Sequence, residues 1–138
     1  MEAQLLWKDG LAFKGTTHSG FEMVLDSSVE HGGNNEGPRP MELILLALGG
    51  CTSMDVISIL SKKRQNVKKF EIFMHADRAV EHPRVFTDIT IEYVVTGTGI
   101  DPEAVQRAIE LSENKYCPGM AMLRKAANIT TSFRVVEE

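Results

Sequence analysis

The chain has only two cysteines, Cys51 and Cys117, and no C-x-x-C pair. A disulfide-stapled scaffold and a tetrathiolate metal site are therefore both excluded. Its four histidines, His18, His31, His75 and His82, fall at no ligand-like spacing, so no metal site is expected. There is no G-x-S-x-G elbow for a serine hydrolase. Thr96-Gly97-Thr98-Gly99 lacks the third glycine of a dinucleotide fingerprint, and no cofactor is expected. Positive charge is scarce. The formal net charge is −4, and the basic clusters Lys62-Lys63-Arg64 and Lys68-Lys69 are too short to grip a phosphate backbone, so nucleic acid is not an expected partner. No basic start followed by an apolar block opens the chain, and a cytoplasmic location is expected. The one long apolar run, Leu43 to Cys51, is bracketed by Glu42 and Asp55 and falls short of the roughly 20 residues a membrane span needs.

What remains is ordinary globular composition, 43% hydrophobic and 25% charged over 138 residues. That is enough for one domain over 1–138 with a core of its own. Three short segments of period-two patterning, Ala3 to Lys8, Leu11 to Gly15 and Phe21 to Asp26, are separated by Asp9-Gly10 and His18-Ser19-Gly20 and predict an antiparallel meander. Ser27 to Pro40 is rich in Gly, Asn, Glu and Pro and predicts an irregular loop. From Met41 to Lys63 the pattern is helical, with Pro40 at the first turn, Glu42 near the positive dipole end and basic residues at the other end. The glycines Gly49-Gly50 inside this helix each cost about 1 kcal/mol relative to alanine, which calls for close packing or a kink.

Two strands follow, Val67 to Ala76 and Arg84 to Thr96, joined at Glu81-His82-Pro83. A helix opens at Asp101-Pro102-Glu103 and ends near Lys115; a short helix starts at Cys117-Pro118 and runs to Ala126; Asn128 to Val136 forms a last strand. The order β-β-β-α-β-β-α-α-β points to an α+β fold with antiparallel sheets around a long central helix. A helix apolar nearly all round must be covered on every face, which a chain this small cannot supply, so a homodimer sharing these helices is expected. The methionines Met41, Met54, Met120 and Met122 read as core filler. Asn128-Ile129-Thr130, a match to a glycosylation acceptor, carries no meaning in a strand of a cytoplasmic protein.

Chemistry then rests on the thiols. Cys117 precedes Pro118 at a helix N-cap, where unpaired N–H groups and the dipole favour thiolate and lower the pKa. Packing as small hydrophobes is the competing reading for both cysteines.

At Pro40-Met41-Glu42-Leu43, Gly49-Gly50-Cys51-Thr52-Ser53-Met54 and Glu113-Asn114-Lys115-Tyr116-Cys117-Pro118, the chain resembles the family of osmotically inducible protein C and the organic hydroperoxide resistance proteins (OsmC/Ohr), and within it the YhfA-like branch of small bacterial members. The resemblance spans nearly the whole chain. It implies an intertwined homodimer with its sites at the interface and, in the peroxidase members, a peroxidatic cysteine on the long helix, here Cys51. It further implies that Cys117 condenses with the Cys51 sulfenic acid to a disulfide that an external dithiol reduces. The family's acidic residue nine positions before the peroxidatic cysteine, which in the family holds an arginine that stabilises the thiolate, falls here on Glu42. An acid in the first helical turn is also favourable for dipole reasons alone. The sequence departs from the pattern at that arginine: Met23 to Ser28, the corresponding stretch, contains none. Arg39, just before Pro40, is the nearby candidate to replace it, with Arg78 and Arg84 as more remote candidates. A Cys51 thiol without a cation would be desolvated and less reactive, which makes a catalytically weak protein that binds an apolar small molecule at the interface pocket the alternative.

Overall fold

A computed structural model describes the whole chain, Met1–Glu138. It holds two compact units, residues 1–44 and 45–138. In the first, β1 (Ala3–Asp9), β2 (Ala12–Thr17) and β3 (Glu22–Leu25) form the expected antiparallel meander, in the order β1-β2-β3. The first hairpin turns at Asp9-Gly10, where Gly10 takes φ +50°, a conformation a Cβ would disfavour. Trp7 closes the turn by donating its indole N–H to the Gly10 carbonyl at 3.0 Å.

After β3 the Gly- and Pro-rich segment is irregular, as its composition predicts, apart from one 3₁₀ turn at Val29–His31. Its order comes from Asp26, which is only 3% exposed. One carboxylate oxygen accepts the Ser27 N–H at 2.7 Å; the other accepts those of Asn34 and Glu36 at 3.0 and 3.2 Å. These backbone donors, Ser27 first, hold the Asp26 pKa below its ordinary 3.8, although burial works against them. Gly33 and Gly37 are required because a Cβ there would collide with the carbonyls of Ser27 and Val24 respectively.

In the second unit, β4 (Asn66–Arg78) and β5 (Phe86–Thr98) pair antiparallel, while β5 and β6 (Asn128–Glu137) pair parallel. The sheet is thus mixed, order β4-β5-β6. The parallel pairing is possible because the two helices between β5 and β6 form a crossover long enough to return the chain. Phe70, Ile72 and Met74 lie across from Val95, Tyr93 and Ile91, so one face of the sheet is continuously apolar. Ile89, Tyr93 and Val95 are fully buried.

The long helix, α1 (Pro40–Lys62), buries one stripe at intervals of four, Leu48, Thr52, Val56 and Leu60. Gly49 adds close packing: a Cβ there would lie 2.5 Å from the Met74 sulfur. Each large apolar side chain buried this way contributes about 1.5–3 kcal/mol before entropy is counted. Elsewhere α1 is half-buried or open, and Leu46 and Met54 are 68% and 73% exposed. At 23 residues α1 outruns its apolar core and is long and apolar enough to cross a membrane by length and composition, a property core helices share. The methionines split: Met120 is buried, whereas Met54 and Met122 are exposed.

α2 (Pro102–Leu111) starts as expected, with Asp101 accepting the Glu103 N–H at 3.0 Å. It stops four residues before Lys115, because the chain widens into a π-type turn over Ser112–Tyr116. α3 (Pro118–Leu123) then runs one turn shorter than its sequence suggested.

The Asp26 carboxylate has a testable consequence. Its lowered pKa means its stabilising bonds are intact above about pH 3.8 and lost as pH falls through the folded value. Asp26→Ala should therefore raise amide hydrogen exchange at Asn34 and Glu36 near neutral pH, and should flatten the acid dependence of exchange there. Unchanged protection in the variant would show that the loop is held by other means.

Candidate functional site: the Cys51–Cys117 thiol pair

Cys51 lies midway along α1, partly exposed, and Cys117 is buried at the N-cap of α3. Their sulfurs are 3.0 Å apart, with the Cys117 S–H donating to Cys51 Sγ. That is inside ordinary non-bonded contact and about 1 Å longer than a disulfide bond. Both cysteines are free thiols.

Placement of Cys117 follows from its neighbours. Pro118 holds the preceding residue out of the helical region, and Cys117 takes φ −81°, ψ 107°. Its backbone N–H is bound to the Ser112 carbonyl across the π-type turn at 2.9 Å. Its sulfur accepts the Met120 N–H at 3.4 Å, as an N-cap side chain does. The sequence expectation that this cap lowers the Cys117 pKa is overturned. Burial, then the hydrogen bond to Cys51, pushes the thiol up from 9.0 to about 11, against the smaller opposing effect of the Met120 and Gly119 N–H groups. A one-and-a-half-turn helix offers little dipole, and desolvation of a thiolate exceeds it. The raised pKa favours the thiol form of Cys117, whose S–H points at Cys51.

Beside the thiols runs a buried hydroxyl chain. Tyr93 Oη and Thr52 Oγ1 are 2.8 Å apart, Thr52 Oγ1 and Ser112 Oγ 2.8 Å, and Ser112 Oγ donates to Asp55 Oδ2 at 3.0 Å. The direction of the whole chain follows from proton counting. Each hydroxyl has one proton, and an ionised carboxylate only accepts. Ser112 gives its proton to Asp55, so Thr52 donates to Ser112 and Tyr93 donates to Thr52. Tyr93 keeps the proton it needs, since burial pushes its pKa up to about 12. Close by, Glu113 Oε1 is buried without a hydrogen-bond partner.

Arg39 and Glu42, the other two expected site residues, are also brought together, in the first unit. Glu42 Oε1 accepts the Arg39 backbone N–H at 2.8 Å and lies 4.0 Å from its Nε. This is the reciprocal half of a capping box, so Glu42 has a structural duty at the start of α1. The Arg39 guanidinium also donates to Asn35 Oδ1 at 2.7 Å and to the Gly37 carbonyl at 3.1 Å. Arg78, one of the remoter candidates, instead donates to the Arg84 carbonyl at the β4–β5 bend. Thr52, Asp55, Tyr93 and Ser112 were not singled out from sequence; small hydroxyls and one acid inside apolar patterns give no signal until strands and helices are placed.

Residues 32–132 match the family model for OsmC-like proteins. Over 136 residues, 99% of this chain and 98% of the relative, it is 43% identical to protein YhfA of Escherichia coli K12. The chain belongs to the OsmC-like family. A crystal structure of a hypothetical protein from Aquifex aeolicus superposes with a TM-score of 0.87 at 34% identity, covering 99% of this chain and 96% of that one. An organic hydroperoxide resistance protein from Legionella pneumophila gives a TM-score of 0.71 over 96% and 94% of the two chains, at 13% identity, and so shares the fold. Membership in the OsmC-like family places the α+β architecture and the long helix in a common frame.

The raised Cys117 pKa is open to titration. In a Cys51→Ser variant the ultraviolet thiolate signal should rise with a midpoint well above 9.0, because desolvation, the main cause, is retained. Stability is unaffected below about pH 9 and falls as pH rises through about 11, since the folded state holds the proton more tightly than the unfolded one. A midpoint at or below 9.0 would put the helix N-cap in control after all.

Proposed function

We propose that the protein is a thiol-dependent peroxidase acting on organic hydroperoxides, in defence against oxidative stress. The observation that carries this reading is the 3.0 Å approach of the sulfurs of Cys51, a partly exposed residue, and Cys117, a buried one. In the proposed cycle the Cys51 thiolate attacks the terminal oxygen of the hydroperoxide. The O–O bond breaks, the alkoxide leaves and takes a proton to become the alcohol, and Cys51 becomes a sulfenic acid. Cys117 sulfur then attacks the sulfenic sulfur, its proton leaves with the hydroxyl as water, and a Cys51–Cys117 disulfide forms. An external dithiol reduces that disulfide to two thiols and is itself oxidised. The roles assign themselves by exposure: the accessible thiol meets peroxide and the buried one resolves. Arg39 and Glu42 are proposed to support the Cys51 thiolate, with the family likeness as the support for that assignment.

The same reading takes the protein as a homodimer in the cytoplasm. Support comes from the uncovered stripe of α1, where Leu46, Met54 and Ile57 are exposed with Gly50 between them. A Cβ at Gly50 meets nothing within 4 Å in the single chain, so the cost of this glycine has no compensation inside the protomer. Close approach of a second α1 would supply it.

A second reading is kept by one observation. The hydrogen bonds of the Arg39 guanidinium hold its own loop, at Asn35 and Gly37. A Cys51 lacking a cation would turn over slowly, leaving binding of an apolar small molecule as the main activity.

Steady-state consumption of cumene hydroperoxide with a dithiol reductant separates these readings. Cys51→Ser should fall to the background of free thiol; Cys117→Ser should retain one fast turnover and then stall. A wild-type rate no better than free thiol would favour the binding protein. Independently, Met54→Asp should convert the dimer to monomer in sedimentation analysis; a wild-type protein that sediments as a monomer would remove the dimer from the account.

A further inference from the structure

Ser112 occupies a position that neither its side chain nor its backbone explains alone. It is fully buried, at the point where α2 gives way to the π-type turn. Its hydroxyl holds two residues of α1: it accepts from Thr52, the residue after Cys51, and donates to Asp55, one helical turn beyond Cys51. Its carbonyl holds the other thiol's segment, through the Cys117 N–H at 2.9 Å. A π-type turn in place of a regular one is what lets a single residue do both, because the i→i+5 bond reaches from Ser112 to Cys117.

We propose that Ser112 is the positioning residue for disulfide formation: its hydroxyl fixes the Cys117 segment to α1 so that the two sulfurs stay within reach, and it governs resolution of the oxidised Cys51 and not the attack on peroxide. The mechanism is proximity. Two thiols held 3.0 Å apart behave as though each were present at high concentration to the other, and a shift of about 1 Å in such a pair can cost on the order of a hundredfold in rate. The Asp55 carboxylate is the anchor of the arrangement, since it fixes which way the Ser112 proton points. Without the hydroxyl the turn keeps its backbone bond to Cys117 but loses its tie to α1, and the Thr52 proton and the Asp55 oxygen lose a buried partner. Ser112 touches no sulfur with its side chain, so it acts through the geometry of the pair.

This inference rests on the peroxidase reading for its biological meaning, but its test does not require peroxidase activity. The first readout is the effective concentration of the Cys51–Cys117 pair, measured at equilibrium in dithiothreitol redox buffers. Ser112→Ala should lower it about tenfold or more, with Ser112→Thr restoring it to near wild type. Tyr93→Phe, which removes the far end of the hydroxyl chain and leaves the Thr52–Ser112–Asp55 portion in place, should leave it within about twofold. The second readout is rapid mixing with cumene hydroperoxide. In Ser112→Ala the sulfenic acid should form at close to the wild-type rate and accumulate, trapped by dimedone, while disulfide formation slows. If Ser112→Ala does not fold, Asp55→Ala removes the same tie from its partly exposed end and should lower the effective concentration in the same direction. An unchanged effective concentration in the variant that folds would overturn the proposal, as would an equal loss in Tyr93→Phe, which would indicate general loosening of the core. A wild-type protein that forms the disulfide in redox buffer but ignores hydroperoxide would refute the peroxidase reading and leave the role of Ser112 standing.

Discussion

The hydrogen bond from Thr52 to Ser112 ties the long helix to the segment that delivers Cys117, and the geometry of the thiol pair depends on it. Both oxygens are fully buried, so the bond is formed where water cannot replace it. Its neighbours complete the chain: Tyr93 donates into Thr52 and Ser112 donates into Asp55. A fully satisfied polar chain in an apolar core admits few alternative packings, because any shift of α1 against β5 or α2 leaves a buried donor or acceptor unpaired. The apolar stripe of Leu48, Val56 and Leu60 supplies the bulk of the burial, whereas the hydroxyl chain selects the register.

That register decides the chemistry of the thiols by an imbalance between two opposing effects. The N-cap of α3 offers Cys117 two weak N–H contributions that favour thiolate, and burial opposes them by more. The result is a protonated sulfur aimed at its partner. Had Cys117 been exposed at the same cap, the two cysteines would both have been candidates for the nucleophile. Exposure separates them, with Cys117 buried and Cys51 partly exposed.

Much of the fold was legible because strand alternation, turn glycines and helix caps are local signals. The Asp9-Gly10 hairpin, the Asp101-Pro102 helix start and Cys117-Pro118 each specify their own geometry within a few residues. The parallel pairing of β6 with β5 was not legible, since it depends on where a crossover lands and not on the strand's own pattern. Likewise Asp101-Pro102-Glu103 indicated the start of a helix, while nothing in Ser112-Glu113-Asn114-Lys115-Tyr116 marks a wider turn. Both cysteines were legible as the candidate pair, but their 3.0 Å approach depends on where the α3 segment packs against α1, which is not a local signal. Asp26 and Ser112 show the same limit most clearly: their importance lies in bonds to residues that are distant in sequence or belong to the backbone, and residue type alone carries no trace of them.

The two sulfurs, 3.0 Å apart, are placed to bond within one chain. Mass spectrometry of the intact reduced protein after one equivalent of cumene hydroperoxide, quenched by alkylation and followed by peptide mapping, tests it most directly. The account predicts a chain lighter by two hydrogens, unalkylated, with Cys51 and Cys117 linked in a single cross-linked peptide pair. A product carrying a stable added oxygen on Cys51 with Cys117 free to alkylate, or a disulfide joining two chains, would contradict it.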